Sequence, residues 1–221
     1  MCGRFTQLYS WSDLAALYRL AGQAPMNLEP RRNISPTQSV DVVVAGGESH
    51  SVERMRWWLV PNWWKKPLKE VPSAFNARSE TVAEKPMFRS AFKRSRCLIP
   101  ASGFYEWTGP KTDRQPWYIT AADGGILTFA GLWERWKNPE DGQDINSCTI
   151  IVTAANQWMG ALHNRMPVVL TPDKFDAWLN EPREDLLVPA PEDALRAWKV
   201  TKGVNSNRYH EADATSSIDA G

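Results

Sequence analysis

The chain begins with MCGRF, and Cys2 is the first residue whose position could give it unusual chemistry. If the preceding residue is removed, Cys2 carries both a free α-amine and a thiol. The amine titrates near pH ~8 and the thiol near pH ~8.5, so a fraction of each is nucleophilic at neutral pH. An amine condenses with an aldehyde, and the neighbouring thiol then closes a five-membered ring. The alternative is an unprocessed chain with an ordinary second residue, and the first three residues alone favour it.

Two internal segments hold polar side chains that suit binding or proton transfer. In FNARSET, Asn76 and Arg78 are two residues apart, so an extended backbone points both to the same side. In GFYEW, Glu106 lies among aromatic residues, where loss of hydration would raise its carboxyl pKa and let it donate or accept a proton near neutrality. A buried structural acid paired with an arginine is the alternative for Glu106.

A third segment, LHNRMP, contains His163 and Arg165 at the edge of a predicted strand. Histidine is the natural proton shuttle at neutral pH, although a lone histidine is more often structural or simply exposed. None of these segments decides a function alone.

Composition favours one intracellular domain. The chain has 221 residues, of which 43% are hydrophobic, enough to bury a substantial core. It contains neither an apolar run long enough to cross a bilayer nor a signal-like N-terminus. Its three cysteines, Cys2, Cys97 and Cys148, form no CxxC pair, which argues against a disulfide scaffold and a structural zinc site. We therefore expect a cytoplasmic protein in a reducing compartment.

The charge is small in total but unevenly distributed. The formal net charge is +1, yet between Arg54 and Arg96 there are eleven Lys or Arg residues against three Glu. The same stretch holds four tryptophans, at positions 57, 58, 63 and 64. Cations interleaved with aromatic rings suit a single-stranded nucleic acid, because the cations pair with phosphates and the rings stack on bases. A solvated basic face over core tryptophans is an equally good explanation of this stretch.

The hydrophobic pattern predicts an α+β domain with a mostly antiparallel, barrel-like sheet and flanking short helices. Residues 11–22 predict a helix that stops at Gly22, and 39–45 with 52–60 predict a hairpin. Further strands are predicted at 96–100, 116–120, 125–133, 147–155 and 167–170. Short helices are predicted at 156–162, 172–180 and 191–198. The tail from residue 205 is polar and is expected to fray.

Several of these motifs, taken in chain order, resemble those of one known family. They are MCGRF, RRNISPTQ, MRWWLVPNWW, FNARSET, CLIPASGFYEW and LHNRMPVVL. In this order they resemble the SRAP family, the SOS-response-associated peptidase-like proteins that crosslink to abasic sites in single-stranded DNA. The resemblance runs from residue 2 to about residue 170. It implies an SRAP domain over residues 1–204 and a C-terminal tail over 205–221.

The resemblance implies a catalytic role for four residues. The α-amine of Cys2 would attack the C1′ aldehyde of the opened abasic sugar, and its thiol would close the resulting Schiff base to a thiazolidine. Glu106 would assist proton transfer during ring opening and imine formation, and His163 would be the second acid or base. Asn76 would orient the Cys2 terminus or the opened sugar by hydrogen bonds. No metal or organic cofactor is required.

The resemblance also implies a path for the DNA. Three arginines would hold phosphates without reading bases: Arg4, Arg78 and Arg165. Four other residues would stack on or wedge between the flanking bases: Pro36, Trp63, Trp64 and Met87. The family's usual Arg-Trp-Gly-Leu run is Arg-Trp-Trp-Leu here, so Trp58 replaces a glycine. Trp107, Trp117, Trp133 and Trp136 lie in strand-like runs and are expected in the core.

Two other classes of protein stay open from sequence alone. MCG also begins N-terminal-nucleophile glutamine amidotransferases after processing, in which the thiolate attacks an amide and the α-amine serves as base. A non-enzymatic single-strand binding module would use the basic stretch without needing an aldehyde. The peptidase label of the family is interpreted as self-removal of the residues that precede Cys2. A monomer is the simplest assembly, and association with the nucleoid is expected if the protein is bacterial.

Overall fold

The computed structural model of the chain describes residues 2–20, 28–47 and 49–219. Its twelve described strands are β1 (Phe5–Gln7), β2 (Arg31–Ile34), β3 (Ser39–Gly46), β4 (Ser49–Trp57), β5 (Asn76–Arg78), β6 (Arg96–Ala101), β7 (Gly103–Thr108), β8 (Gln115–Ala121), β9 (Leu127–Lys137), β10 (Asp144–Ala154), β11 (Arg165–Pro167) and β12 (Leu195–Lys199). The α-helices in the same residues are α1 (Trp11–Tyr18), α2 (Arg89–Arg94), α3 (Gln157–Gly160) and α4 (Phe175–Asn180). None of the described helices has the length and apolar character needed to cross a membrane.

Five strands form a closed barrel. They follow the order β10-β4-β3-β6-β9, and β9 pairs with β10 to complete the circle. Only the β4–β10 pair within this circle is parallel, and the other pairs are antiparallel. The predicted hairpin corresponds to β3 and β4. The prediction of an α+β domain with a mostly antiparallel barrel-like sheet is therefore confirmed.

A second, antiparallel sheet of order β12-β8-β7-β1-β2 packs against the barrel. Phe5 on β1 connects the two layers, because its ring lies 4.9 Å from that of Trp57 in an edge-to-face arrangement and 6.2 Å from that of Phe129. Cys97 and Cys148 are fully buried inside the barrel strands, as an apolar cysteine in a strand predicts. The shared core thus fixes the sheet, and everything it carries, relative to the barrel.

Helix α1 is shorter than the hydrophobic pattern predicts. It begins after Ser10, whose hydroxyl accepts from the Asp13 backbone while the Asp13 carboxylate accepts from the Ser10 backbone. It ends at Tyr18, and Arg19 adopts a left-handed conformation with φ 51°. Gly22, the predicted stop, lies outside the described residues.

The helix predicted over residues 191–198 is wrong. Residues 195–199 form strand β12, which pairs with β8 from Leu195 opposite Ala121 to Lys199 opposite Trp117. Pro191, which looked like the start of a helix, only closes a turn through its carbonyl oxygen and the Ala194 N–H. The open edge of β8 offered backbone hydrogen bonds that a short isolated helix could not match.

Residues 206–215 lie against the second sheet instead of fraying. The side-chain amide of Asn33 donates to the carbonyl oxygens of Ser206 at 2.9 Å and Tyr209 at 3.0 Å. The Trp198 indole N–H donates to the carbonyl of Thr215 at 2.8 Å, and Ala214 is fully buried. The segment after residue 204 therefore contributes to the packing of the sheet that carries β7.

Gly103, at the start of β7, leaves no room for a side chain. A Cβ atom there would lie 2.6 Å from the Tyr118 hydroxyl and 2.7 Å from the Ile119 carbonyl oxygen, both on β8. We expect Gly103→Ala to lower the free energy of unfolding by about 1–3 kcal/mol, because β7 and β8 must move apart. Urea denaturation measures the change.

Gly160 provides the matched control, since a Cβ atom there would meet nothing within 4 Å. Gly160→Ala should leave the urea midpoint unchanged or raise it slightly. Equal effects of the two substitutions would contradict the close-packing argument.

Candidate active-site cleft

An open cleft of about 720 Å³ lies beside the N-terminal end of β1. Three of the residues predicted to act on or bind a substrate line it, namely Arg4, Glu106 and His163. The rest of the lining is Gly3, Phe75, Trp107, Gly109, Lys111, Thr112, Asp113, Arg114 and Asn205. Segments far apart in the chain therefore meet here, and each must be positioned by its own element.

Cys2 lies immediately below the cleft. Strand β1 pairs with β7, and the Tyr105 N–H donates to the Arg4 carbonyl at 2.9 Å, which holds the residues before β1 alongside Glu106. The Cys2 side chain is fully buried, whereas Gly3 lines the cleft. Burial raises the pKa of the Cys2 thiol well above its ordinary range, and the nearby charge of Glu106 raises it further. The thiol is therefore protonated at neutral pH.

Asn76 holds the Cys2 backbone from the opposite side. Strand β5 pairs in parallel with β10, and this places the Asn76 side chain so that its Nδ2 donates to the Cys2 carbonyl at 2.9 Å. Its Oδ1 is buried and accepts no hydrogen bond from the described residues. A buried acceptor of this kind costs free energy until a donor reaches it. Asn76 is thus prepared to accept one hydrogen bond beside Cys2.

Glu106 is buried on β7, with 3% of its surface exposed. Burial disfavours the carboxylate and raises the pKa of Glu106 to about 7. Near neutral pH the group is therefore divided between its acid and its carboxylate, which suits it both to give and to take a proton. The burial expected from the GFYEW motif is observed, and the role of Glu106 in proton transfer stays a prediction.

His163 lies in the loop between α3 and β11 and lines the cleft. Its Nδ1 lies 3.0 Å from the Arg165 backbone nitrogen and 3.2 Å from the Arg165 carbonyl oxygen, so it accepts a hydrogen bond in one tautomer and donates one in the other. Burial lowers the pKa of His163, so the ring is neutral at physiological pH.

The three arginines predicted to bind phosphates differ in the partners that their guanidinium groups already have. Arg4 is half-buried and donates to Asn33 Oδ1 at 2.7 Å and to the Val204 carbonyl at 3.1 Å. Arg165 forms an ion pair with Glu80. Arg78 is exposed and forms no ion pair with a carboxylate in the described part of the chain. Arg78 thus has the most readily available charge of the three.

The residues predicted to contact bases lie outside the cleft lining. Trp63 is 46% exposed, and its ring lies 6.0 Å from that of the partly buried Trp64. Pro36 is partly exposed in the turn before β3, and Met87 is partly buried against the hydrophobic cluster on the outer side of the barrel. The cleft does not gather these four residues, so their contact with bases stays a prediction.

Trp58, which replaces the family's glycine, packs behind the cleft wall. Its ring lies 5.6 Å from that of Phe75, and its indole N–H donates to the Pro72 carbonyl at 3.0 Å. Trp57 binds the same wall residue, since its indole N–H donates to the Phe75 carbonyl at 2.8 Å. The additional ring therefore supports Phe75, the residue next to Asn76.

Sequence analysis missed part of the cleft. Trp107 was expected in the core, but it lines the cleft, and its indole N–H donates to Asn205 Oδ1 at 2.6 Å. No sequence motif marks Lys111 or Arg114 as a binding residue. The sequence signal for them is the turn GPKTDR, which follows GFYEW after one threonine and begins where strand β7 ends.

In the part of the chain that the structure describes, no three His, Cys, Asp or Glu side chains group together as metal ligands. The cleft combines a buried acid and a neutral imidazole with bordering cations, and the Asn76 amide holds the Cys2 backbone nearby.

This fold is found in solved structures. A crystal structure of a protein from Bacteroides thetaiotaomicron superposes with a TM-score of 0.86 at 22% identity, and the match covers 98% of this chain and 99% of that one. A likeness at this identity defines the fold: a small α+β barrel protein with a second sheet.

The family follows from sequence comparison. Residues 1–207 match the family model described as SOS response associated peptidase (SRAP), and the chain belongs to this family. It is 36% identical over 222 residues to the abasic site processing protein YoqW of Bacillus subtilis, covering 96% of this chain and 98% of that protein. It is 34% identical to YoaM, another abasic site processing protein of B. subtilis, covering 96% of each chain. The resemblance seen in the motifs is confirmed.

The raised pKa of Glu106 predicts how the free energy of unfolding depends on pH. Between pH ~4.3 and pH ~7 the folded state holds a proton on Glu106 that the unfolded state has lost, so this residue lowers stability as pH rises. Glu106→Gln removes that dependence. The free energy of unfolding of the variant relative to the parent should increase by about 2–3 kcal/mol from pH ~4 to pH ~8. Urea titrations at both pH values measure it, and a difference independent of pH would contradict the assignment.

Proposed function

We propose that the protein recognises abasic sites in single-stranded DNA and crosslinks to them through Cys2. The observation that carries the proposal is that Glu106 and His163 line one cleft with Gly3, the residue after Cys2, while Asn76 donates a hydrogen bond to the Cys2 carbonyl. The names of the related B. subtilis proteins support an abasic site as the substrate. The crosslink would shield the lesion as part of the response to DNA damage.

The first step would be removal of the residue before Cys2, which frees the α-amine. The family description as a peptidase supports self-removal at this bond. Asn76 then has a clear role, because its Nδ2 holds the Cys2 carbonyl and its buried Oδ1 is available to accept an N–H of the new amine. That hydrogen bond would orient the amine lone pair away from Asn76 and towards the cleft.

The second step would open the abasic sugar and form the imine. Opening moves the proton of the C1′ hydroxyl away and adds a proton to the ring oxygen, and Glu106 with a pKa of about 7 suits this exchange. His163, which lines the same cleft, would act as the second acid or base at the sugar oxygen. The amine then adds to C1′, and loss of one water leaves a C=N bond between Cys2 and the sugar.

The third step would close the ring. The Cys2 sulfur bonds to C1′, the C=N double bond becomes single, and the thiol proton ends on the nitrogen. The product is a thiazolidine, and one water is lost overall. The raised thiol pKa fits this order of events, since a protonated thiol does not compete with the amine for the aldehyde.

The DNA would be bound as a single strand by one copy of the protein. Arg78, with its exposed charge, and Arg165 would contact phosphates, and Trp63 and Trp64 would stack on flanking bases. Arg4 would support the cleft floor, because its hydrogen bonds already join β1 to Asn33 and Val204. Such a protein acts where DNA is, in the cytoplasm at the nucleoid if the source is bacterial.

Substitution of Cys2 tests the chemistry directly. Incubated with a single-stranded oligonucleotide carrying one abasic site, the parent should gain the mass of the oligonucleotide less one water, and the product should survive heating. Cys2→Ala keeps an α-amine but has no thiol, so it should form only an imine that borohydride traps. Intact-mass spectrometry distinguishes the two products.

A heat-stable adduct on Cys2→Ala in the absence of borohydride would remove Cys2 from the nucleophile role. DNA binding by the parent without any adduct would favour a non-covalent binding module.

Substitution of Glu106 tests proton transfer. Glu106→Gln should slow adduct formation by about 100-fold and abolish a rate inflection near pH ~7, because the amide cannot exchange the proton. Glu134→Gln is the matched control, since Glu134 is also buried but does not line the cleft. Quench time courses across pH measure both rates, and a parental pH profile in Glu106→Gln would refute its role as acid and base.

A further inference from the structure

The turn between β7 and β8, residues 109–114, forms one wall of the cleft. Gly109, Lys111, Thr112, Asp113 and Arg114 all line it. Gly109 has φ 87°, a conformation that favours glycine and lets the chain leave β7 sharply. The turn follows Glu106 by only a few residues, so its charges lie near the proposed reaction centre.

The cations of this turn differ from the predicted phosphate ligands in their availability. Lys111 and Arg114 are exposed, and neither forms an ion pair with a carboxylate of the described residues. Arg165, by contrast, is paired with Glu80. An unpaired cation gains more from an arriving phosphate than one that must first leave its carboxylate.

The segment after β12 holds the turn and neutralises its single acid. Asn205 bridges two points of the wall, since its Oδ1 accepts from the Trp107 indole at 2.6 Å and its Nδ2 donates to the Arg114 carbonyl at 3.2 Å. Lys202 forms an ion pair with Asp113. The turn therefore presents two positive charges to the cleft, while the charge of Asp113 is compensated.

We propose that the β7–β8 turn is a second cationic wall of the cleft, in which Lys111 and Arg114 bind phosphates of the DNA strand. The inference rests on the proposed function and extends it to residues that no motif identifies. Lys202 and Asn205 are positioning residues in this arrangement, because they act through the turn and do not contact the strand themselves.

Salt-dependent binding tests the wall. The probe is a fluorescent single-stranded oligonucleotide without an abasic site, so that affinity is measured apart from crosslinking. Each phosphate contact on a single strand contributes about 0.7 to the slope of log K against log salt. The double variant Lys111→Ala/Arg114→Ala should therefore reduce the slope by about 1.4 and bind less tightly at low salt.

The matched control removes one exposed lysine and one exposed arginine that do not line the cleft, as Lys137→Ala/Arg196→Ala. This control should keep the parental slope. Equal slopes for the cleft variant and the control would overturn the proposal.

A rescue experiment tests the role of Lys202. Lys202→Ala leaves the Asp113 carboxylate uncompensated and should weaken binding, and adding Asp113→Asn should restore it. Failure of the second substitution to restore affinity would overturn the charge argument. The behaviour of the parent protein distinguishes failure of the two proposals. If the parent neither binds nor crosslinks the DNA, the proposed function is refuted. If the parent does both and the Lys111→Ala/Arg114→Ala variant binds with the parental salt slope, only the second cationic wall is refuted.

Discussion

The pairing of β1 with β7 is the constraint on which the site depends. Phe5, on β1, is fixed in the core by the rings of Trp57 and Phe129, so the chain before it has little freedom. The hydrogen bond from the Tyr105 N–H to the Arg4 carbonyl continues the pairing beyond the strand and places Glu106 beside the segment that holds Cys2. Because buried backbone groups need partners, this alignment cannot slip without leaving donors and acceptors unpaired.

Burial favours the uncharged form of all three titratable groups near this strand pair. The Cys2 thiol and the Glu106 carboxyl have raised pKa values, and His163 has a lowered one. Desolvation therefore favours the uncharged form of each. The cations lie further out, at the exposed wall and on β5. In the proposed function the cleft therefore separates two tasks: the cations at its border attract the DNA, and the desolvated groups at its floor exchange protons.

Much of the barrel could be predicted from sequence because its strands are continuous apolar runs. SCTIIVTAA lies almost wholly within β10, and SVDVVVA within β3. Strand β12 could not be predicted, since the residues before it favour a helix locally and the edge that recruits it is far away in the chain. Similarly, alternation along β7 shows that Trp107 lies on one face of a strand, but only the packed structure shows that this face borders a cleft. The motif residues could be named in advance, whereas the Lys111 and Arg114 wall depends on contacts with Lys202 and Asn205.

Strand β10 pairs with β9, β4, β5 and β11, so a single stretch of backbone aligns four others. Asn76 is positioned through one of these pairings, and the loop carrying His163 ends in another. A deletion of one residue inside β10 would turn every following side chain to the opposite face and displace both groups together. Length changes in evolution should therefore collect in the loop at residues 138–143, before β10, while the strand itself keeps a constant length. A design that transfers this site to another scaffold must therefore keep the length of β10, because the number of β10 residues between its pairings with β5 and β11 sets the distance between Asn76 and His163.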